Sequence, residues 1–150
     1  MKLIIDTREQ RPLVFNHKLI TEVEVKGLPF GDYGAMSSDY QHPVVFERKS
    51  INDLYGTLSQ GYERFKREIE RAKEQNYRII IIVEGSLKRI LMGTAFSNRT
   101  PESIIYQLFT IRVRYDVETV FCPTREDMSE FITQFYIAHE KEYLDKIISK

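Results

Sequence analysis

Runs of period two and stripes of helical period alternate along the chain. Leu3, Ile4 and Ile5 form a short apolar run that reads as a strand, with Asp6 at its end. Gln10 to Lys18, with Pro12 early in it, reads as a loop or short helix, and Thr21 to Val25 alternates as a second strand. Gly27, Pro29 and Gly31 mark turns. Asp32 to Met36 starts a hairpin arm that is expected to pair with Val44 to Arg48. In the strand Pro43 to Lys49, alternation places Val45, Glu47 and Lys49 on one face and Val44, Phe46 and Arg48 on the other.

Ser50 then fits a helix N-cap with Asp53 at N3, opening a short helix to about Leu58 that Gly61 breaks. Tyr62, Phe65, Ile69 and Ala72 make the apolar stripe of the next helix. Its other side mixes Arg64, Lys66, Arg67, Arg71 and Lys73 with Glu63, Glu68 and Glu70, the pattern of a solvated face with local ion pairs. Ile79 to Val83 is apolar throughout, as in a central strand covered on both faces. Ser86 caps a short helix to Leu91, and Gly93 to Arg99 is a loop. Thr100 and Pro101 start a helix whose buried side is Ile104, Ile105, Leu108 and Ile111. Val117 to Phe121 is the last strand. Thr124 caps a final helix with the stripe Met128, Phe131, Ile132 and Phe135, running past His139 into a charged tail over 140–150. Strands alternating with helices predict an α/β fold, a mixed central β-sheet flanked by helices, in one domain over 1–150.

Composition narrows this picture. A chain of 150 residues buries roughly 70% of its unfolded surface, enough for one core. Its single cysteine, Cys122, excludes an internal disulfide and suits a reducing compartment. No signal-peptide pattern follows Met1, and the longest apolar run is too short to span a bilayer, so the cytoplasm is the expected location. The 22 basic residues match the 22 acids, which predicts modest nucleic-acid affinity for this domain alone. His17, His42 and His139 show no ligand spacing and read as surface or capping residues. Cys122 reads as a buried strand-end thiol, and the Tyr and Phe content as core rather than base-stacking platform.

The candidate chemistry lies between Asp32 and Asp53. Glu47 and Lys49 sit about 6.6 Å apart along one strand face. Such a pair at the end of an apolar strand is costly to bury unless it is paired or holds a metal. Asp32 follows a glycine just before the chain returns into that strand. Two hard oxygen ligands and an ammonium are what metal-assisted phosphodiester cleavage requires. Read alone, Glu47 and Lys49 also fit a surface ion pair on an edge strand, and Asp53 fits helix capping.

Four stretches carry a resemblance: Ile4-Ile5-Asp6-Thr7-Arg8-Glu9, Gly31-Asp32-Tyr33, Glu47-Arg48-Lys49-Ser50 with Asp53, and Ile82-Val83-Glu84-Gly85. In this order they resemble the nuclease domain of the XPF family, whose signature runs GD, a variable gap, ERK, three residues and D. The resemblance covers nearly the whole chain. It implies a restriction-endonuclease-like fold and a Mg²⁺- or Mn²⁺-dependent endonuclease acting on branched or partly single-stranded DNA in repair, recombination or replication. It implies Asp32 and Glu47 as metal ligands, with Asp6 as a further acid holding or orienting an ion. Lys49 becomes the catalytic lysine, with Arg8, Glu9, Arg48 and Asp53 supporting the site and Arg48 and Arg64 touching DNA. The expected products are a 3′ hydroxyl and a 5′ phosphate. Two departures matter. The family has Gly-Arg at the start of the long helix, whereas Tyr62 and Glu63 separate Gly61 from Arg64. The chain also leaves no room for the tandem helix-hairpin-helix domain of many members, so DNA is expected to be held through a homodimer or a partner protein. The rival readings are a non-catalytic DNA-binding or scaffold subunit, and a sequence-specific restriction nuclease on the same fold.

Overall fold

A strand that buries both faces needs a helical layer on each side, and β6 (Arg78–Glu84) is such a strand. The computed structural model describes residues 1–148. The strands are β1 (Lys2–Ile5), β2 (Glu22–Val25), β3 (Tyr33–Ser37), β4 (Tyr40–Gln41), β5 (Val44–Ser50), β6 and β7 (Glu118–Cys122). They form a sheet in the order β2-β1-β3-β5-β6-β7, with β4 paired to β3. The β1–β3 and β3–β5 pairs are antiparallel, while β1–β2, β5–β6 and β6–β7 are parallel. This is a mixed sheet in an α/β fold. The predicted hairpin relation of Asp32–Met36 to Val44–Arg48 is present, with Tyr33 opposite Phe46.

The helices are α1 (Ile51–Leu58), α2 (Tyr62–Glu74), α3 (Leu87–Leu91), α4 (Pro101–Tyr115) and α5 (Arg125–Ile148). Ser50, Ser86 and Thr100 cap α1, α3 and α4 through their hydroxyls, and Thr124 accepts from the Asp127 amide. Alternation along β5 and β6 divides the core in two. Val45, Ile79, Ile81 and Val83 pack with Leu54, Leu58, Phe65, Ile69 and Ile104 from α1, α2 and α4. On the opposite face, Val44, Phe46, Ile80 and Ile82 pack with Met128, Ile132 and Tyr136 of α5.

Three details differ from the sequence reading. The buried line of α5 is Met128, Ile132 and Tyr136, while Phe131 is 37% exposed. Spacing of four selects this line, because the Tyr136 hydroxyl donates to the Val44 carbonyl at 2.6 Å and so anchors the helix on β5. The segment beyond His139, expected as a tail, continues α5 to Ile148, and the last two positions, 149–150, lie outside the described residues. His42 is fully buried, not a surface or capping residue. Its Nδ1 lies 2.5 Å from Nδ1 of His139, and its Nε2 lies 2.7 Å from Ser37 Oγ, which donates to Glu140. The partners are 97 residues apart in the chain, so no local spacing announced them.

Candidate active site

Asp32 is placed by its neighbour. Gly31 has φ of +74°, and a Cβ there would lie 2.9 Å from Val45 Cγ2 and 3.1 Å from the Phe46 carbonyl. Only glycine makes that approach without strain. The turn lets the Asp32 amide donate to Phe46 O at 2.7 Å, while its carbonyl accepts from the Asp6 amide at 2.8 Å. Asp32 is thus stitched between β1 and β5, and its Oδ2 accepts from the Arg48 amide at 2.8 Å.

Glu47 and Lys49 share one face of β5, as alternation requires, and Lys49 Nζ lies 3.1 Å from Glu47 Oε1. Both are largely buried, with side-chain exposures of 12% and 17%. They line an open pocket of about 360 Å³ together with Asp32, Arg8, Arg64 and Glu68. Burial raises the Glu47 carboxyl to about 7, the Asp32 charge pushes it the same way, and Lys49 opposes both. Burial likewise raises Asp32 to about 6 against the Arg48 amide bond. Desolvation by itself lowers the Lys49 ammonium, but the Glu47 carboxylate overcomes it and the net shift is upward. Lys49 therefore stays charged between two acids that resist ionising together.

Glu68 is the site residue that sequence reasoning missed, having been grouped with the solvated face of its helix. Gly61, Arg64, Phe65 and Glu68 follow the spacing i, i+3, i+4 and i+7, so they share one side of α2, and that side faces the pocket. This spacing was the available signal. It also brings Arg64 to the pocket despite the two residues inserted after Gly61. Gly61 allows α2 to start against α1, since a Cβ there would come within 3.2 Å of Thr57 Cα.

The remaining predicted residues lie elsewhere. Asp6 is buried at the end of β1, but both its oxygens are engaged. Oδ1 accepts from the Leu28 amide at 2.7 Å, and Oδ2 accepts from Arg8 Nε at 2.7 Å and the Arg8 amide at 3.1 Å. Burial works against its ionised form, yet these donors prevail and its pKa is lowered. Asp6 thus aims Arg8 at the pocket and does not itself line it. Arg48 points to the opposite sheet face and grips Glu9 through Nε at 3.0 Å and Nη2 at 3.1 Å. The Asp53 amide donates to Ser50 Oγ at 3.1 Å, so Ser50 caps α1 and Asp53 stands in its first turn.

The donor set suits a hard divalent cation. Two desolvated carboxylates from β3's entrance and from β5 face one pocket with a single ammonium between them. Among the described residues, Asp32 Oδ1 and Glu47 Oε2 receive no protein donor. Among the same residues, no group of three or more His, Cys, Asp or Glu is arranged to hold a metal, and the two acids whose oxygens are open toward the pocket are Asp32 and Glu47.

Comparison with known proteins places this arrangement. The ERCC4 domain model matches residues 5–135. No curated protein matches the sequence. XPF from Aeropyrum pernix superposes with a TM-score of 0.65 at 25% identity, over 89% of this chain and 63% of that one. The structure titled as XPF from Aeropyrum pernix in complex with DNA gives a TM-score of 0.65 at 22% identity, over 94% of this chain and 66% of that one. The chain thus spans just under two thirds of the length of these solved chains. The mixed sheet with its flanking helices is the restriction-endonuclease-like fold of those proteins. With the ERCC4 model covering most of its length and an archaeal XPF sharing its fold, the chain belongs to the ERCC4 domain family as an XPF-type nuclease domain.

Proposed function

We propose that this chain is a Mg²⁺- or Mn²⁺-dependent endonuclease that hydrolyses phosphodiester bonds in branched DNA, such as flaps, forks or junctions, in repair, recombination or replication. The observation that carries the reading is the meeting of Asp32, Glu47 and Lys49 in one pocket. Asp32 and Glu47 would hold the ion, and Asp6 acts through Arg8. When bound, the ion supplies Lewis-acid activation of water and neutralises phosphate charge.

The chain's own groups do the rest. Lys49, held charged by Glu47, donates to a phosphate oxygen as negative charge grows on it. Arg8 and Arg64 bind flanking phosphates at the pocket rim. The uncapped N-terminus of α2 at Gly61 adds positive potential there. Desolvation around Glu47 and Asp32 strengthens each of these interactions.

The fold's DNA-bound relative supports DNA as the substrate. A net charge of zero favours a second copy or a partner protein to strengthen the grip. The exposed Tyr106, Phe109 and Val113 on α4 offer a face for it. No helix among the described residues is long and apolar enough to cross a membrane. Cys122 is free and buried, which agrees with a reducing cytoplasm.

A panel of linear, flap, fork and four-way DNA with Mn²⁺ tests the reading. Cutting confined to branched forms is expected. Cutting of linear duplex at one sequence would favour a restriction nuclease, and binding without cutting would favour a scaffold subunit.

A further inference from the structure

A second cleft, of about 470 Å³, lies beside the candidate active site across the end of α1. Gly56 lines both cavities, so its exposed backbone is common to the two. A Cβ at Gly56 would meet nothing within 4 Å, which leaves open space above it. The character of the lining changes from one to the other. Among the described residues, the first pocket is lined by three acids, whereas the second is lined by none and Arg99 is its only charged one. The Arg99 guanidinium bonds Leu58 O at 2.8 Å, Gln107 Oε1 at 2.9 Å and Ser103 O at 3.2 Å, so none of these partners cancels its charge. Ser59 Oγ, also in the lining, is buried without a hydrogen-bond partner.

The far wall is the loop after α3, and it is braced at both ends. Thr94 Oγ1 donates to Asn52 Oδ1 at 2.7 Å, and Arg99 ties the other end to α1 and α4. On this fixed loop Phe96 is 83% exposed, with Ser97 and Asn98 beside it. A large ring held in water on a braced loop, among polar groups, does not serve the core. An aromatic face with a cation and amides nearby matches what an unpaired nucleotide needs: stacking for the base and attraction for the phosphate.

We propose that this cleft is a subsite for an unpaired nucleotide of the DNA strand leaving the active site, its base stacked on Phe96 and its phosphate drawn by Arg99. The proposal rests on the nuclease reading of the neighbouring pocket. It gives that pocket a physical means of preferring a splayed strand, because a paired base cannot offer its face to the ring. Gln60 and Asn98 amides lie within the same cleft to bond base edges.

The chain contains no tryptophan, so Phe96→Trp installs a single indole fluorophore in the full-length protein. With divalent ions chelated, an oligothymidylate of about twelve residues is expected to quench its emission saturably, and a blunt duplex to leave it unchanged. Phe96→Ala is expected to weaken oligothymidylate binding roughly ten-fold, measured by anisotropy, with the melting temperature unchanged. Absence of quenching, equal quenching by duplex, or wild-type affinity in Phe96→Ala would overturn the subsite. Cleavage of a flap with Mn²⁺ is read separately. Protein that quenches but does not cut supports the subsite and removes the nuclease reading. Protein that cuts without quenching does the reverse.

Discussion

Lys49 Nζ stands 3.1 Å from Glu47 Oε1, two residues away on the same face of one strand. Among the described residues, the ammonium is the only cation in direct contact with either buried acid of the pocket, and its charge also acts to lower the Asp32 carboxyl against burial. Lys49→Ala should therefore push both carboxyls further up. It should reduce cleavage by about 10²- to 10³-fold, the usual effect of losing one donor to a developing anion. Single-turnover rates on a flap substrate, with folding checked by circular dichroism, measure this. Lys49→Arg should recover little, since a guanidinium cannot occupy the place of a compact point charge.

The raised acids predict how stability depends on pH. In the folded protein Asp32 titrates near 6 and Glu47 near 7, above their ordinary 3.8 and 4.5. The folded state therefore binds more protons than the unfolded state between these limits. Stability from this site is highest below about pH 4 and declines as pH rises toward 7. Thermal melts of the metal-free protein should show Glu47→Gln gaining relative to wild type as pH rises from 5 to 8. A difference that stays constant over that range would count against the burial of this pair.

His42 has the opposite sign. Burial, with His139 beside it, lowers its pKa to about 4 from 6.5. Glu140 can only accept, so Ser37 donates to it and takes the His42 Nε2 proton bond, which leaves Nδ1 of neutral His42 to accept from His139. The stability from this group is fully present above about pH 6.5 and is lost as pH falls toward 4. His42→Gln should remove that acid-side loss. His139→Ala should cost about 1–3 kcal/mol at pH 7 by leaving a buried acceptor unpaired, as read from urea unfolding.

Gly31→Ala tests the placement of Asp32. The substituted residue would keep φ near +74° and press its Cβ on Val45 and the Phe46 carbonyl. A loss of about 1–3 kcal/mol is expected, together with lower activity, because the strained turn shifts the carboxylate relative to Glu47. Wild-type stability with wild-type cleavage would contradict the role given to this turn.

Arg48 separates structure from DNA contact. Its guanidinium is held by both oxygens of Glu9, with side-chain exposures of 15% and 9%. Arg48→Ala strands a buried carboxylate and should cost about 3–5 kcal/mol. Arg64→Ala, at an exposed helix position, should leave the melting temperature within about a degree and weaken DNA binding. Matched denaturation and anisotropy curves for the two variants decide between the roles.

Much of this was legible in the sequence wherever a local rule sufficed. Alternation on β5 placed Glu47 beside Lys49 and Arg48 on the other face, and the Ser50 and Thr100 hydroxyls announced their helices. Features that depend on docking between distant segments were hidden. Glu68 turns inward because α2 packs on α1 and β6, a docking that its spacing from Gly61 and Phe65 hints at but does not fix. His42 meets His139 only after α5 crosses the sheet. Asp6 read as a site acid, but its own next turn captured it through Arg8, a contact of two residues that strand periodicity does not describe. Phe96 looked like one more core aromatic until its loop was braced outward.

Mn²⁺ binding to the full chain, followed by electron paramagnetic resonance of the free ion, tests the central claim most directly. Wild type should bind Mn²⁺ saturably, and Glu47→Gln and Asp32→Asn should each lose more than the roughly 10- to 100-fold in affinity that removal of an outer partner costs. Equal Mn²⁺ affinity in wild type and both variants would contradict the assignment of these carboxylates as the ion's ligands.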